Sequence, residues 1–434
     1  MAFETALSGL NAASSDLDIV GNNIANSNTA GFKSSRGEFA DIFAVSNLGV
    51  AGNAIGQGVA LSDVSQEFGQ GQFEFTGSTL DMAISGDGFF QLSDGAVDTY
   101  TRAGAFSMDR DGNIVNAAGL VLQGYPVNST TGNTTTNTPQ DITIDTGVSS
   151  PQATSSVTIA ANLDASETGI AATVTFDPNN AASYNHSTST TIFDSLGISH
   201  QLTTYYRKVP DAAGPPVVEN QWQTYTYIDN TVVPPAANTG AAPTNNDYVT
   251  LQFDNSGVLQ SVDDNGTAAT DGILHYTNFT ISGSGANALN FDVDYTSLTQ
   301  YGGDFSVNAL SQDGYSTGQF TDLDVDADGN IFARFSNGQA TTLARVAVIT
   351  FPSQNNLRQV GDTSWTETFA SGLPIAKEPG NAGAGSIESG ALEQSNVNLT
   401  EQLVKMITAQ RNFQANAQMI STSDQVTQTI INIR

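Results

Sequence analysis

The densest run of groups able to bind an ion is Asp324-Val325-Asp326-Ala327-Asp328-Gly329, with three carboxylates at alternate positions followed by glycine. It matches the first half of a calcium loop, where oxygen ligands alternate and a glycine makes the sharp turn. Such a loop closes with a bidentate glutamate at its twelfth position, and here that position is Phe335. A β pattern flanks the run, so a hairpin turn with solvated aspartates is expected instead of a metal site. The histidines, His186, His200 and His275, lack metal-ligand spacing. Adjacent carboxylates such as Asp263-Asp264 are ordinary in a chain with 43 acidic residues and carry no glycosidase signal. Gly383-Ala384-Gly385 is not followed by the third glycine of a dinucleotide turn, and no phosphate loop is present. Cysteine is absent, which excludes thiol catalysis, disulfides and cysteine metal sites. The expectation is a protein that is not an enzyme and needs no cofactor and no metal.

With catalysis set aside, charge decides which partners are plausible. The 434 residues carry a net charge of −30, yet only 13% are charged. Between Arg110 and Arg334 the only basic residues are Arg207 and Lys208. Nucleic acid and anionic membrane surfaces both need clustered Lys/Arg, so neither is expected as a partner. The first basic residue is Lys33 and no uninterrupted apolar run precedes it, so no cleaved signal peptide is expected. No stretch reaches the length of a membrane span. An acidic chain rich in Gly, Thr and Asn and free of cysteine suits an extracellular appendage, exported by a route that cleaves no signal.

The elements with the strongest pattern lie at the two ends. Phe3, Leu10, Leu17 and Ile24 recur every seventh residue, with Ala6, Ala13 and Val20 on the adjacent row. Near the other end Leu392, Leu399, Met406, Phe413 and Ile420 recur in the same way. Leu403, Ala417 and Ile431 occupy a neighbouring row that Gln410 and Asp424 interrupt. Heptad spacing predicts helices that wind around a partner. Asn398, with Glu401 three residues on, predicts the start of the second helix. The other faces are nearly free of charge (Ser8, Asn11, Ser14, Ser15; Gln410, Asn412, Gln414, Asn416, Gln418), whereas solitary exposed helices are usually rich in Glu and Lys. Neutral faces suit close packing of identical copies, so self-assembly through these helices is predicted.

Between the ends the pattern is β. Short apolar runs broken by turn residues fill about 64–148, and alternation at Phe291, Val293 and Tyr295 marks half-buried strands in a second region, 149–303. The turn Asp111-Gly112-Asn113-Ile114 returns as Asp328-Gly329-Asn330-Ile331, so 304–375 is read as the continuation of the first β region. The fold class expected is mainly β with terminal α-helices that pair like a coiled coil, a split β domain, and an inserted outer β-sandwich or barrel. The corresponding division is 1–28 plus 391–434 (helical core), 29–63 plus 376–390 (connecting segment), 64–148 plus 304–375 (inner β) and 149–303 (outer β). Residues 46–60 and 372–390 read as Gly-rich loops.

Long runs at both ends resemble a known family. Ser8-Gly9-Leu10-Asn11-Ala12, Gly21-Asn22-Asn23-Ile24-Ala25-Asn26 and Thr29-Ala30-Gly31-Phe32-Lys33 resemble the N-terminal signature of bacterial flagellar axial proteins of rod and hook. Gly390-Ala391-Leu392-Glu393-Gln394-Ser395-Asn396, with Gln410-Arg411-Asn412-Phe413, resembles their C-terminal signature. Asp87-Gly88-Phe89-Phe90 and Tyr100-Thr101-Arg102-Ala103-Gly104-Ala105-Phe106 also resemble the family. The motif positions are Asn22, Asn23, Asn26, Gly31, Phe32, Asn396, Gln410 and Arg411. The length and the 149–303 insertion point to the hook proteins within it. The resemblance implies a self-assembling, curved tube outside the cell that joins motor to filament as a universal joint. It also implies terminal helices lining the tube, with rod, hook-cap and hook–filament junction proteins as partners and export through the flagellar type III apparatus. A rod protein is the alternative within the family, and an extracellular adhesin or glycan-binding β module the alternative outside it.

Overall fold

The computed structural model describes residues 2–42, 56–128, 132–211, 219–234, 247–263, 268–269, 271–381 and 383–432. The chain divides into two compact units, one formed by 1–146, 321–334 and 340–434, the other by 147–320 and 335–339. The Pro-rich stretches around 214–216 and 235–246, and most of the loop read at 46–60, lie outside the described residues.

The first unit begins with helix α1, Ala2–Ala25, and closes with helix α2, Leu399–Asn432. α1 stops where the Asn26 side chain donates to the Asn22 carbonyl at 3.0 Å, followed by the turn to Gly31 at φ 71°. α2 starts as its sequence predicts, because Asn398 Oδ1 accepts from the N–H groups of Thr400 and Glu401 at 3.0 and 3.3 Å. Leu392 is a correction. It lies six residues before that cap, in the strand Ala391–Glu393, which pairs antiparallel with Phe73–Phe75. Its place in the heptad row reflects the numerical period and not a helix.

Strands run through the connecting segment, 29–63 plus 376–390. Ser35–Asp41 and Val59–Gln66 form an antiparallel hairpin that runs along α1, where Val59 N–H donates to Ser8 Oγ at 3.2 Å. Ile375–Lys377 pairs with Val348–Thr350, and Ser386–Ser389 pairs with Met82–Ser85. No local pattern marks them, since their order comes from ladders with other strands and not from local propensity.

The β part of the first unit is assembled from both halves of the chain. Val121–Pro126 pairs with Ala340–Val346, Phe89–Ser93 with Val348–Thr350, and Asp98–Thr101 with Ser364–Thr366, all antiparallel. Their inner faces enclose Phe89, Tyr100, Tyr125, Ile349, Phe351 and Trp365. Edge-to-face contacts order that core, such as Tyr100 with Phe351 at 4.8 Å and Phe89 with Trp365 at 5.8 Å between ring centres. The repeated turn signal is the same device twice. Asp109 and Asp326 each accept from the backbone N–H and the side-chain amide of the asparagine four residues on, Asn113 and Asn330. Asp324 pairs with Arg334 across the hairpin, so the acidic run is a strand-and-turn feature.

The second unit is a β-sandwich. One sheet orders Ile273–Phe279, Leu289–Asp294, Ser156–Asp164 and Thr299–Tyr301, with Ser306–Gln312 also on Ser156–Asp164. The other orders His186–Phe193, Ser199–Lys208, Gln221–Ile228, Val249–Phe253 and Leu259–Asp263. Side chains of both sheets, among them Ile159, Trp222, Leu251 and Val293, share one core, and Tyr276 Oη donates across it to Thr226 Oγ1 at 2.7 Å. The two basic residues here face inward. Arg207 donates to the carbonyls of Ile170 and Ala171, Lys208 to those of Ala165 and Glu167, so both fasten one loop. Their charge is spent on carbonyls, and the surface of this unit is left acidic.

Candidate assembly surface

The two helices run antiparallel. Asn23, on the last turns of α1, donates to Gln402 Oε1 at 3.3 Å near the start of α2. Gly9, on the early turns of α1, lies against Asn416, whose side chain is 2.7 Å from where a Gly9 Cβ would stand. On α1 the buried residues are Ala6, Ala13, Val20 and Asn23, and on α2 they are Gln402 and Ala409. The seam is therefore built from small and polar side chains, which let the backbones approach closely.

The heptad spacing is present: on α1 the row Ala6, Ala13 and Val20 faces the partner, and on α2 Gln402 and Ala409 do, a row the spacing does not mark. Leu10, Leu17 and Ile24 are half-buried along the edge of the seam, and Phe3 is exposed. Met406, Phe413 and Ile420 are likewise half-buried, while Leu399 and Leu403 are about half exposed at 46% and 49%. The physical reason is size: a seam tight enough to hold Gly9 and Ala409 has no room for Leu or Phe, which are displaced to its margins. Leu7, Val404, Ile407, Met419 and Val426 add further exposed apolar area. A pair of helices with this much uncovered hydrocarbon has the surface of an interface. Asp16, beside the seam, has its carboxyl pushed up by burial, with Lys405 acting against that shift.

Where the helices meet the sheets, the motif residues converge on a junction. Asn23 holds the first hairpin, donating to Ser35 O at 2.7 Å and accepting from Ser35 N–H at 2.9 Å. Asn396 does the same from the other end of the chain, accepting from Ser34 N–H at 2.8 Å and donating to the carbonyls of Glu67 and Gly69. Gly31 donates its N–H to Glu393 O at 2.7 Å, and a Cβ there would lie 2.4 Å from Ala103 N, so only glycine fits. Phe32 is buried beside it. Asn22 is exposed, and its oxygens accept from Asn26. Gln410 and Arg411 stand on the exposed side of α2, away from this junction.

At the centre of the junction are three charges that sequence reasoning had not singled out. Lys33 Nζ donates to Glu393 Oε1 at 2.6 Å and to Gly69 O at 2.8 Å. Gly71 N–H donates to the same carboxylate oxygen at 2.8 Å, and Arg102 donates to Glu393 Oε2 at 3.3 Å while lying over the Phe89 ring. All three side chains are shielded from solvent. Burial pulls the Lys33 ammonium below its ordinary pKa, with Glu393 opposing the shift, and the same two causes act on Arg102. The available signal was that each lies inside one of the family runs, in a chain with only 13 basic residues.

Four family descriptions match parts of the chain: a flagella basal body rod protein at 3–33, a flagellar hook protein FlgE/F/G D1 domain at 83–162, a flagellar basal body protein FlaE D2 domain at 162–315, and a flagellar basal body rod FlgEFG protein C-terminal region at 388–433. The chain is 36% identical over 438 residues to the flagellar hook protein FlgE of Salmonella typhimurium, covering 100% of both chains. It belongs to the flagellar hook protein family. The hook protein of Borreliella burgdorferi is 34% identical over 458 residues, covering 99% of this chain and 98% of that one. Among solved structures, the Helicobacter pylori flagellar hook protein FlgE2 shares the fold, with a TM-score of 0.52 at 17% identity over 74% of this chain and 100% of that one. Hook proteins are structural and not enzymes, and the hook relatives match over the full length, second unit included, so a rod assignment is not favoured.

Proposed function

We propose that the antiparallel helix pair is the surface through which copies of this hook subunit join into a tube. Phe3, Leu10, Leu17, Ile24, Leu399, Met406, Phe413 and Ile420 supply the apolar margins that neighbouring copies cover. The single observation that carries this reading is the mismatch between the helices' apolar content and their own seam: the small residues meet each other, and the large ones are left over. Covering them is favoured by about 25 cal/mol for each Å² of hydrocarbon removed from water. In this reading the helical core (1–28 plus 391–434) lines the tube and the connecting segment (29–63 plus 376–390) fastens it to the inner β domain (64–148 plus 304–375). The outer β domain (149–303) faces solvent. The tube bends while transmitting torque from motor to filament. Its partners are itself, the rod, the hook cap, the hook–filament junction proteins and the flagellar type III export apparatus, which passes the chain without a cleaved signal.

The test is electron microscopy of the full-length chain beside a 30–390 truncation under assembly conditions, seeded with isolated hook fragments. Tubes extending from the seeds with the full-length chain alone are expected. Growth by the truncation at the same rate would remove the helices from the assembly surface.

A further inference from the structure

The most exposed aromatic side chain among the described residues is not on the helices. Phe369 is 107% exposed, and Leu373, four residues on, is 78% exposed. They project from a turn that is firmly held. Ser371 is fully buried; its Oγ accepts from Thr368 N–H at 2.9 Å and donates to Thr368 O at 2.8 Å. Thr368 Oγ1 donates to Asn356 O at 2.7 Å, and Gly372, at φ 79°, closes the turn against Pro352. A side chain fixed outward on a rigid turn loses little entropy on docking, as aromatic interface anchors do.

The same unit carries a cavity of about 370 Å³ lined by Ala103, Ala105, Ala117 and Ala118 together with Thr29, Thr101, Asn116 and the turn Asp362–Thr363. That turn is held in place: Thr101 Oγ1 donates to Thr363 O at 2.8 Å, and its two residues take φ values of 49° and 52°. The turn and the aromatic side chain lie beyond opposite ends of one strand, Ser364–Thr366. Two different patches at opposite ends of one element are what a head-to-tail contact between identical copies requires, and such contacts build open helical polymers instead of closed dimers.

We infer that Phe369 of one copy seats in the alanine-lined cavity of a second copy, with Leu373 packing at its edge. This contact links the β part of the first unit from copy to copy, apart from the helices, and it rests on the reading that the chain assembles into a hook.

The absence of cysteine makes the contact addressable. A chain carrying both Phe369→Cys and Ala117→Cys, expressed in its native host deleted for the wild-type gene, yields hooks to be isolated and mildly oxidised. A ladder of dimers and longer oligomers on a non-reducing gel is expected from the double variant and from neither single variant. Hooks of the double variant that run as monomers after oxidation would overturn the contact. Should the double variant form no hooks, Phe369→Asp decides. It should leave the melting temperature of the purified chain within about 1 °C, since the side chain is fully exposed, and reduce hooks per cell at least ten-fold. Normal hook number and length with Phe369→Asp would refute the inference. Failure of the assembly reading itself is told apart by the wild-type gene returned to the same host, which would then give no hooks.

Discussion

Replacing Glu393 by glutamine keeps the shape of the side chain and removes the one negative charge shared by Lys33 and Arg102. In the wild-type chain this carboxylate accepts from Lys33 at 2.6 Å, Gly71 N–H at 2.8 Å and Arg102 at 3.3 Å, with no solvent access. Glutamine has one acceptor oxygen, and its amide would point donors at donors. Breaking a buried ion pair by removing one partner costs about 3–5 kcal/mol, because a buried charge is left uncompensated. Two cations share this anion, so the upper half of that range is expected, about 4–5 kcal/mol. For a folded unit of more than 200 residues each kcal/mol lowers the melting temperature by about 2–4 °C, which predicts a drop of roughly 8–20 °C. The assay is calorimetry of the full chain, in which the transition of the sandwich unit serves as an internal reference and stays in place. The pH dependence provides a second readout. The folded-state pKa of Lys33 lies below its ordinary 10.5, so the folded state binds fewer protons than the unfolded one as pH approaches that value. Stability from this group therefore rises with pH across the window below 10.5. Without Glu393 the depression deepens, so the deficit of the variant should narrow between pH 7 and pH 10. Lys33→Met, which leaves Glu393 paired with Arg102, should cost less than about 2 kcal/mol. A Glu393→Gln shift below about 3 °C, or a deficit that widens with pH, would refute the view that this charge holds the junction.

Asn23→Ala leaves both backbone groups of Ser35 and the side chain of Gln402 without their partner; unmet buried groups cost about 1–3 kcal/mol each, so a loss of at least about 3 kcal/mol is expected in thermal melts. At the helix seam, Gly9→Ala should be nearly neutral in hook yield, because Asn416 can swing aside and alanine is the better helix former by about 1 kcal/mol. Gly9→Leu should separate the helices and abolish hooks, while the sandwich unit melts normally. In the sandwich unit, burial raises the pKa of Asp194 and Asp229, but hydrogen bonds from backbone N–H groups and from His200 outweigh it and leave both lowered from 3.8. Their contribution to stability is present above that value and lost as pH falls through the folded-state values. Acid titration followed by tryptophan fluorescence should therefore show a His200→Gln sandwich unfolding at higher pH than wild type.

The terminal helices were legible because a seven-residue period survives any choice of partner. Which row of α2 faces inward was not, since Gly9 and Ala409 mark a close approach only once both helices are placed. Leu392 shows the opposite error, a residue with the correct period that the chain uses in a strand. The split β region was readable from its repeated Asp-Gly-Asn-Ile turn. The strands at 35–41, 59–66 and 386–389 were not, because nothing local distinguishes them from loops; their ladders are supplied by the hairpin partner or by Met82–Ser85. The charged junction was hidden for the same reason, as Lys33 and Glu393 stand 360 residues apart.

That separation also sets a schedule. Ribosomes add about 5–20 residues each second, so Lys33 waits roughly 20–70 s after its own synthesis before its counter-ion exists. Met82–Ser85, Phe89–Ser93 and Val121–Pro126 wait similarly for strands made near the end of translation. The first unit thus cannot mature from its leading end while the chain is being made. A nascent chain halted before Glu393 should leave the segment around Lys33 open to protease, and protection there should appear only once Glu393 is available.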